Sequence, residues 1–356
     1  MVDLRFMRTT HYQVGHPIYF GFLIRLCTSP VESKTTEKVL HCVHEILNDH
    51  RYRCSEEAAK FLVRMAQQMR FLESNNIWTW KAFVVNYFEE AEDVTRCFER
   101  TNISSMVKRI IYLKYYLESD GAFLVHFARK VLEEGGLSKY ALRYTNKAVD
   151  LVFQNVLNEY LAIETDFRKK VELKNFLELV RERGYRSKVR IHKAFPHLDP
   201  LVDLGILDYD VAKRKYMPRI SGRNMTERFL QEFPNLSSLE KIFLLEEGAK
   251  KANSGYYEKV AELYNVPYRK FSRKDTNTIS HEIVGTYSKL KDEVTGLAAI
   301  KSIKDIVCTL GLVNHGILCE WSDIDEVLEQ LGSRKGVNLR FHVDRTGDIA
   351  YIVLSE

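Results

Sequence analysis

The segment RSKVRIHKAFPHLDPLVDLGILDY (186–209), followed by DVAKRKYMPRI (210–220), decides how this chain reads. Its first part predicts a short helix, Pro196 to Leu204, closed by Gly205, because glycine adopts the left-handed backbone that ends helices at little steric cost. Pro200 suits only a first helical turn, so the regular part of that helix is expected to be short, with Asp199 and Asp203 on its surface. The second part predicts a small hairpin. Just upstream, Asp166 to Gly184 reads as a basic helix with Phe167, Val171, Leu173, Phe176, Leu177 and Val180 as its apolar positions and Gly184 at its C-terminal stop.

The C-terminus repeats this architecture. Ser322 is expected to cap a helix through Ile324, Val327, Leu328 and Leu331, ended by Gly332. Val337 to Val343 and Ile349 to Leu354 then read as two strands. On the first, Val337, Leu339, Phe341 and Val343 share one face, and a glycine sits in the connecting turn, the clearest hairpin signal in the chain.

Before residue 165 the periodicity is helical throughout. Amphipathic stretches are expected at 33–50, from Ser55 to Leu72, from Lys81 to about Arg100, at Ser104–Glu118, at Ala122–Glu134 and at Ser138–Ile163, with Gly121 and Gly135-Gly136 as breaks. Between the two hairpins, short helices are expected near Thr226–Glu232, Ser238–Ala252 and Tyr256–Tyr264. Arg269 to Thr278 reads as a polar, basic linker, and helix resumes at Thr278–Glu293 and Leu297–Leu310. The predicted fold class is therefore mainly α: an N-terminal helical bundle (1–164), a small basic α+β domain (165–235), and a helical segment with a C-terminal α+β module (236–356). A length of 356 residues suits two or three domains, and 17 Gly with 7 Pro leave little material for long sheets or flexible tails.

Six cysteines at 27, 42, 54, 97, 308 and 319 form no CxxC pair, the usage expected of free thiols in the cytoplasm. No apolar run is long enough to span a membrane and no signal peptide is expected. The net charge of +5 implies little by itself, but residues 165–225 hold 15 Lys+Arg against 8 Asp+Glu, a local +7, so the rest of the chain sums to −2.

Other chemistry is sparse. His41, Cys42, His44, His50 and Cys54 are the one cluster of metal-ligating types, but zinc needs four converging ligands and Cys42 belongs to an apolar stripe, so no metal is expected. Trp78 and Trp80, with Phe83, Tyr87 and Phe88, form an aromatic set at helical spacing, which reads as core before it reads as a stacking surface; Tyr112, Tyr115 and Tyr116 read the same way. There is no Gly-rich phosphate loop, no GxSxG elbow and no HExxH, so neither an enzyme nor a cofactor is expected.

The phrase Leu201-Val202-Asp203-Leu204-Gly205-Ile206-Leu207, preceded by helices and followed by a hairpin, resembles the close of a winged helix-turn-helix domain over residues 166–220, and more loosely over 297–355. The resemblance implies a helix in the major groove of double-stranded DNA and a wing on its backbone. Carried onto this sequence, Lys213, Arg214 and Lys215 fall at the wing tip, Arg186, Lys188, Arg190 and Lys193 flank the turn, and Arg219 completes the set of expected phosphate contacts. The expectation is DNA binding mainly through the duplex backbone, in a larger nucleoprotein assembly. The alternative is a non-catalytic scaffold subunit that docks a protein through the acidic helix 322–331, which carries Asp323, Asp325, Glu326 and Glu329.

Overall fold

The computed structural model describes residues 63–73, 78–88, 103–145, 147–183, 187–220, 224–243, 255–333, 338–343 and 349–355, with the backbone alone at 145, 183, 187–193, 349 and 355. The helix expected at 33–50 and the His41–Cys54 cluster lie outside these residues. Helix dominates what is described. No helix among the described residues is long and apolar enough to cross a membrane.

The fold is built round one helix. After α1 (Trp80–Phe88) comes α2 (Met106–Glu133), capped by the Ser105 hydroxyl, which accepts from the Lys108 N–H at 3.5 Å. Its residues from Ile110 to Leu117 are all buried, and a helix covered on every side is a core helix. The break expected at Gly121 is instead a kink at Asp120 (φ −144°, ψ 19°) inside a continuous helix. Gly121 has a different role: a Cβ there would stand 2.5 Å from Leu239 Cδ1, so its absence lets another helix cross closely. Trp78 is buried, and Trp80 packs edge-on against Tyr115 and Trp321, so these rings, with Tyr112 and Tyr116, belong to the core.

Past α2 the chain forms β1 (Leu137–Ser138), a π-helical turn (Ala141–Thr145), α3 (Ala148–Ile163), α4 (Phe167–Arg183), α5 (Ser187–Asp203), β2 (Leu207–Asp210) and β3 (Lys215–Pro218). The single helix expected over Ser138–Ile163 is thus replaced by a strand, a π-helical turn and a shorter helix. The cause is pairing: Leu137 and Ser138 lie opposite Tyr216 and Lys215 in an antiparallel sheet of order β1-β3-β2. That sheet reaches across residue 165, joining the hairpin to chain upstream of it. In α4 only one face is covered: Leu173, Leu177 and Val180 are buried, whereas Phe167 is 78% exposed and Val171 40%.

Helix α5 departs most from expectation. It runs 17 residues and contains both Pro196 and Pro200. An interior proline costs about 3 kcal/mol, but every residue from Ala194 to Leu201 is buried. Burying side chains such as Phe195, Leu198 and Leu201 returns about 1.5–3 kcal/mol each, enough to hold the helix together through its prolines. Gly205 (φ +73°) then closes it, with the Ile206 N–H donating to the Leu201 carbonyl at 2.8 Å.

The second half continues as α6 (Met225–Glu232), α7 (Leu236–Phe243), α8 (Tyr256–Tyr264), β4 (Arg269–Lys270), a 3-10 turn (Arg273–Asp275), α9 (Thr276–Leu290), β5 (Ala298–Ala299), α10 (Ile300–His315), β6 (Ile317–Leu318), α11 (Trp321–Gly332), β7 (Asn338–Val343) and β8 (Ile349–Ser355). The expected linker at 269–278 is ordered: β4 pairs in parallel with β6, and Ser272 and Asp275 form a capping box. Helix α11 is capped by Glu320 with Asp323, two residues before the expected Ser322. Strands β5, β8 and β7 form a second antiparallel sheet in the order β5-β8-β7. In both three-stranded sheets the last strand in sequence lies in the middle.

A buried polar hub ties the halves together. Asp305 on α10 accepts from Lys114 Nζ and, at 3.0 Å, from the Tyr115 hydroxyl, both on α2. It accepts further from the Tyr257 hydroxyl at 3.1 Å and Trp321 Nε1 at 2.9 Å. Burial first, and the Asp305 charge after it, push both tyrosine hydroxyls well above their usual range, so they remain donors.

Candidate nucleic-acid interface

The cations foreseen at the hairpin tip do converge. Lys213 and Arg214 are exposed in the turn between β2 and β3, and Lys215 opens β3. Asp210 shapes that turn: its carboxylate accepts from the Lys213 N–H at 2.9 Å and lies 3.6 Å from Lys213 Nζ. The backbone hydrogen bond is the main reason its carboxyl sits below the usual range, with the Lys213 charge helping. Arg214 adopts a left-handed backbone, φ 48°, which costs a non-glycine residue some strain.

The strand that completes the sheet adds cations that sequence reasoning missed. The Lys139 N–H donates to the Arg214 carbonyl at 2.9 Å, and Lys215 Nζ donates to the Gly135 carbonyl at 3.1 Å, so the tip is fastened to the turn that follows α2. Lys139 Nζ lies 4.4 Å from the centre of the Phe195 ring and 5.0 Å from that of Tyr209, a cation held on aromatic faces. Arg143 follows on the π-helical turn, its guanidinium 4.9 Å from the Tyr144 ring centre. The signal was present as the run SKYALRY (138–144) after Gly135-Gly136, but it was absorbed into an expected helix.

The other foreseen residues divide. Arg219 sits past the base of the hairpin, four residues from Lys215 and so about 13 Å along an extended strand. There it lies 3.8 Å from Asp208, and both Arg219 and Arg109 approach Gly205, within 3.0 and 3.5 Å of where a Cβ would stand. Burial first, with Arg219 adding to it, pulls the Arg109 guanidinium below its usual value. Arg219 is therefore not part of the tip cluster. Lys188, Arg190 and Lys193 lie on the first half of α5, where the backbone alone is described, and Arg186 falls outside the described residues.

The carboxylates expected on the surface of α5 are a correction. Asp199 and Asp203 are 7% exposed, and Asp199 accepts from the Tyr216 hydroxyl at 2.6 Å. Asp199 thereby braces α5 against β3, and neither carboxylate is on the surface to oppose an anion. His197, on the same helix and wholly buried, pairs with Asp120 at the kink of α2 and stacks on Phe123 and Phe127, ring centres 4.9 and 5.3 Å away.

The C-terminal module has another character. On α11, Asp323 is used in the capping box and Asp325 pairs with Lys304 at 2.6 Å, leaving Glu326 and Glu329 exposed. The apolar face expected on β7 is partly uncovered, Phe341 being 42% exposed and Val343 63%; Tyr351 of β8, 44% exposed, lies opposite His342 on the other face. Arg340 and His342 are also exposed. Among the described residues no group of three or more His, Cys, Asp or Glu is placed to hold a metal. Comparison with family models, with curated proteins and with solved structures finds no match for this chain.

Proposed function

We propose that this protein binds double-stranded DNA, mainly through the phosphate backbone, using the β2–β3 hairpin and the turn beside it. The observation that carries the reading is the gathering of Lys213, Arg214 and Lys215 at the hairpin tip, with Lys139 bonded to it through the Arg214 carbonyl, while Asp199 and Asp203 are buried. A predominantly cationic hairpin tip, three cations against the single Asp210 carboxylate, suits phosphate, and such contacts position a protein without reading bases. The order helix, strand, helices, hairpin, with the last strand central, resembles that of a winged-helix domain, and the second sheet follows it with β6 interposed. It supports a wing on the backbone, with α5 as the helix nearest the groove. A cytoplasmic setting, drawn from the scattered cysteines, belongs to the same proposal.

A titration of duplex DNA against salt tests it. If about four to six phosphates are engaged, log affinity falls against log salt with a slope near −4 to −5. Replacing Lys213, Arg214 and Lys215 with Ala should shrink that slope by about 2–3. A slope near zero for the wild type, or a slope indifferent to the triple replacement, refutes the reading.

One observation favours a second reading, a scaffold subunit. Exposed Phe341 and Val343 on the C-terminal hairpin, with the exposed Glu326 and Glu329 on the preceding helix, are the composition of a protein-docking surface. Purification with a stable partner, combined with no retention on DNA at low salt, would select it.

A further inference from the structure

Tyr140 and Tyr144 are 68% and 50% exposed, among the most exposed large aromatic side chains described, and they stand together: their ring centres are 5.0 Å apart at 47°. Arg143 lies over the Tyr144 ring and adds a cation to the exposed aromatic pair. The platform is firmly mounted. Leu142 between them is fully buried, and the Ser138 hydroxyl accepts from the Ala141 N–H at 2.9 Å, fixing the entry to the π-helical turn. Such turns recur at functional sites. Through Lys139 and the Arg214 carbonyl the turn is also bonded to the hairpin tip.

Two kinds of chemistry thus meet at one edge. The tip cations suit phosphates, whereas exposed rings beside a guanidinium suit the faces of nucleobases. In a blunt duplex those faces are stacked on one another and closed to a side chain. They become available where a strand leaves the duplex.

Building on the DNA-binding reading, we propose that the natural ligand is a nucleic acid with a duplex and an unpaired segment, whose backbone lies on the Lys213–Lys215 tip and whose first unpaired bases stack on Tyr140 and Tyr144. The platform gives no sequence preference, since every base has a π face. It gives a preference for structure.

The experiment compares a blunt duplex with the same duplex carrying a short single-stranded tail, at one salt concentration, for the full chain and for two variants. Stacking of one or two bases should make the wild type bind the tailed form about tenfold or more tighter. Y140A/Y144A should lose that preference and keep its affinity for blunt duplex and its salt slope; Y140F/Y144F, which keeps both rings, should retain the preference. A 2-aminopurine in the tail next to the junction should change its fluorescence on binding wild type and not on binding Y140A/Y144A. Both side chains are largely exposed, so the variants are expected to fold, and matching thermal melts confirm it. Salt-dependent binding of blunt duplex with no preference for the tail overturns this inference and leaves the backbone reading standing. A tail preference that survives Y140A/Y144A also overturns it. Failure to bind either DNA overturns both.

Discussion

The two three-stranded sheets have the same strand order and opposite surfaces. In the first, β1-β3-β2, the hairpin tip is cationic and the carboxylates of the adjacent helix are buried, Asp199 against Tyr216 and Asp203 at the end of α5. In the second, β5-β8-β7, the adjacent helix shows Glu326 and Glu329 to solvent and the hairpin shows Phe341 and Val343. Strand order is a solution to packing two helices and a hairpin, and it fixes no ligand. What separates the modules is which side of α5 and of α11 meets the core. On α5 the helix face holding the acids also meets Tyr216 and Ile103, so they face inward; on α11 the apolar stripe of Ile324, Val327, Leu328 and Leu331 leaves two glutamates outside.

The largest predicted effect concerns what the modules share. Asp305 belongs to α10, beside the second sheet, yet it satisfies Lys114 and Tyr115 of α2, which leads into the first. Asp305→Ala leaves the Lys114 ammonium buried without its carboxylate, and should cost about 3–5 kcal/mol, read from urea unfolding. Because the hub spans both modules, unfolding should stay a single transition in the wild type. A variant that loses one module while the other keeps its wild-type midpoint would show that the two are independent and the hub is local.

Local pattern was enough for the elements nearest the diagnostic segment. The hairpins at 207–218 and 338–355, the stop at Gly205 and the cations of the tip follow from alternation, turn chemistry and charge count, which are properties of neighbouring residues. Tertiary contact decided the rest. Ser138 reads as the start of a helix until Lys215, nearly 80 residues on, pairs with it as a strand, and with that pairing the platform of Tyr140 and Tyr144 becomes visible. Pro196 and Pro200 argue for a short helix, but the burial of Ala194–Leu201 overrides them. The Asp305 hub joins residues some 190 positions apart, and no window of sequence contains it.

Each sheet is entered through a glycine of positive φ, and the pair sharpens the comparison at smaller energy. Gly136 (φ +118°) is pressed against the hairpin: a Cβ would lie 2.7 Å from the Tyr216 carbonyl oxygen. Gly296 (φ +68°) has its nearest neighbour at 3.8 Å. Gly136→Ala should therefore cost about 1–3 kcal/mol from backbone strain with a further loss from the clash, and it should weaken DNA binding by displacing β3 and the tip. Gly296→Ala carries only the left-handed penalty of about 1–2 kcal/mol and should leave DNA affinity unchanged. Equal melting losses in the two variants would mean that the close approach at Gly136 is not what holds the first hairpin in place.

The smallest effect separates two aspartates that both sit in turns. Asp210 in the first module is solvent-washed, and its carboxyl is lowered mainly by a backbone N–H; little stability should follow its titration. Asp275, at the entrance to α9, is 3% exposed and takes the Arg269 guanidinium at 2.6 Å together with the Ser272 hydroxyl at 2.8 Å. Those hydrogen bonds, Arg269 first, outweigh burial and bring its carboxyl down to about 2 from an ordinary 3.8. Since the folded value lies below the unfolded one, its contribution is complete above roughly pH 4 and fades as pH falls through about 2. Asp275→Asn should thus be less stable than wild type at neutral pH, and the gap should narrow across that acid window, as measured by urea midpoints at a series of pH values. Asp210→Asn should show no such narrowing. If the gap for Asp275→Asn is the same at both ends of the window, the Arg269 pair is a surface contact like that of Asp210, and the difference between the two turns lies in shape alone.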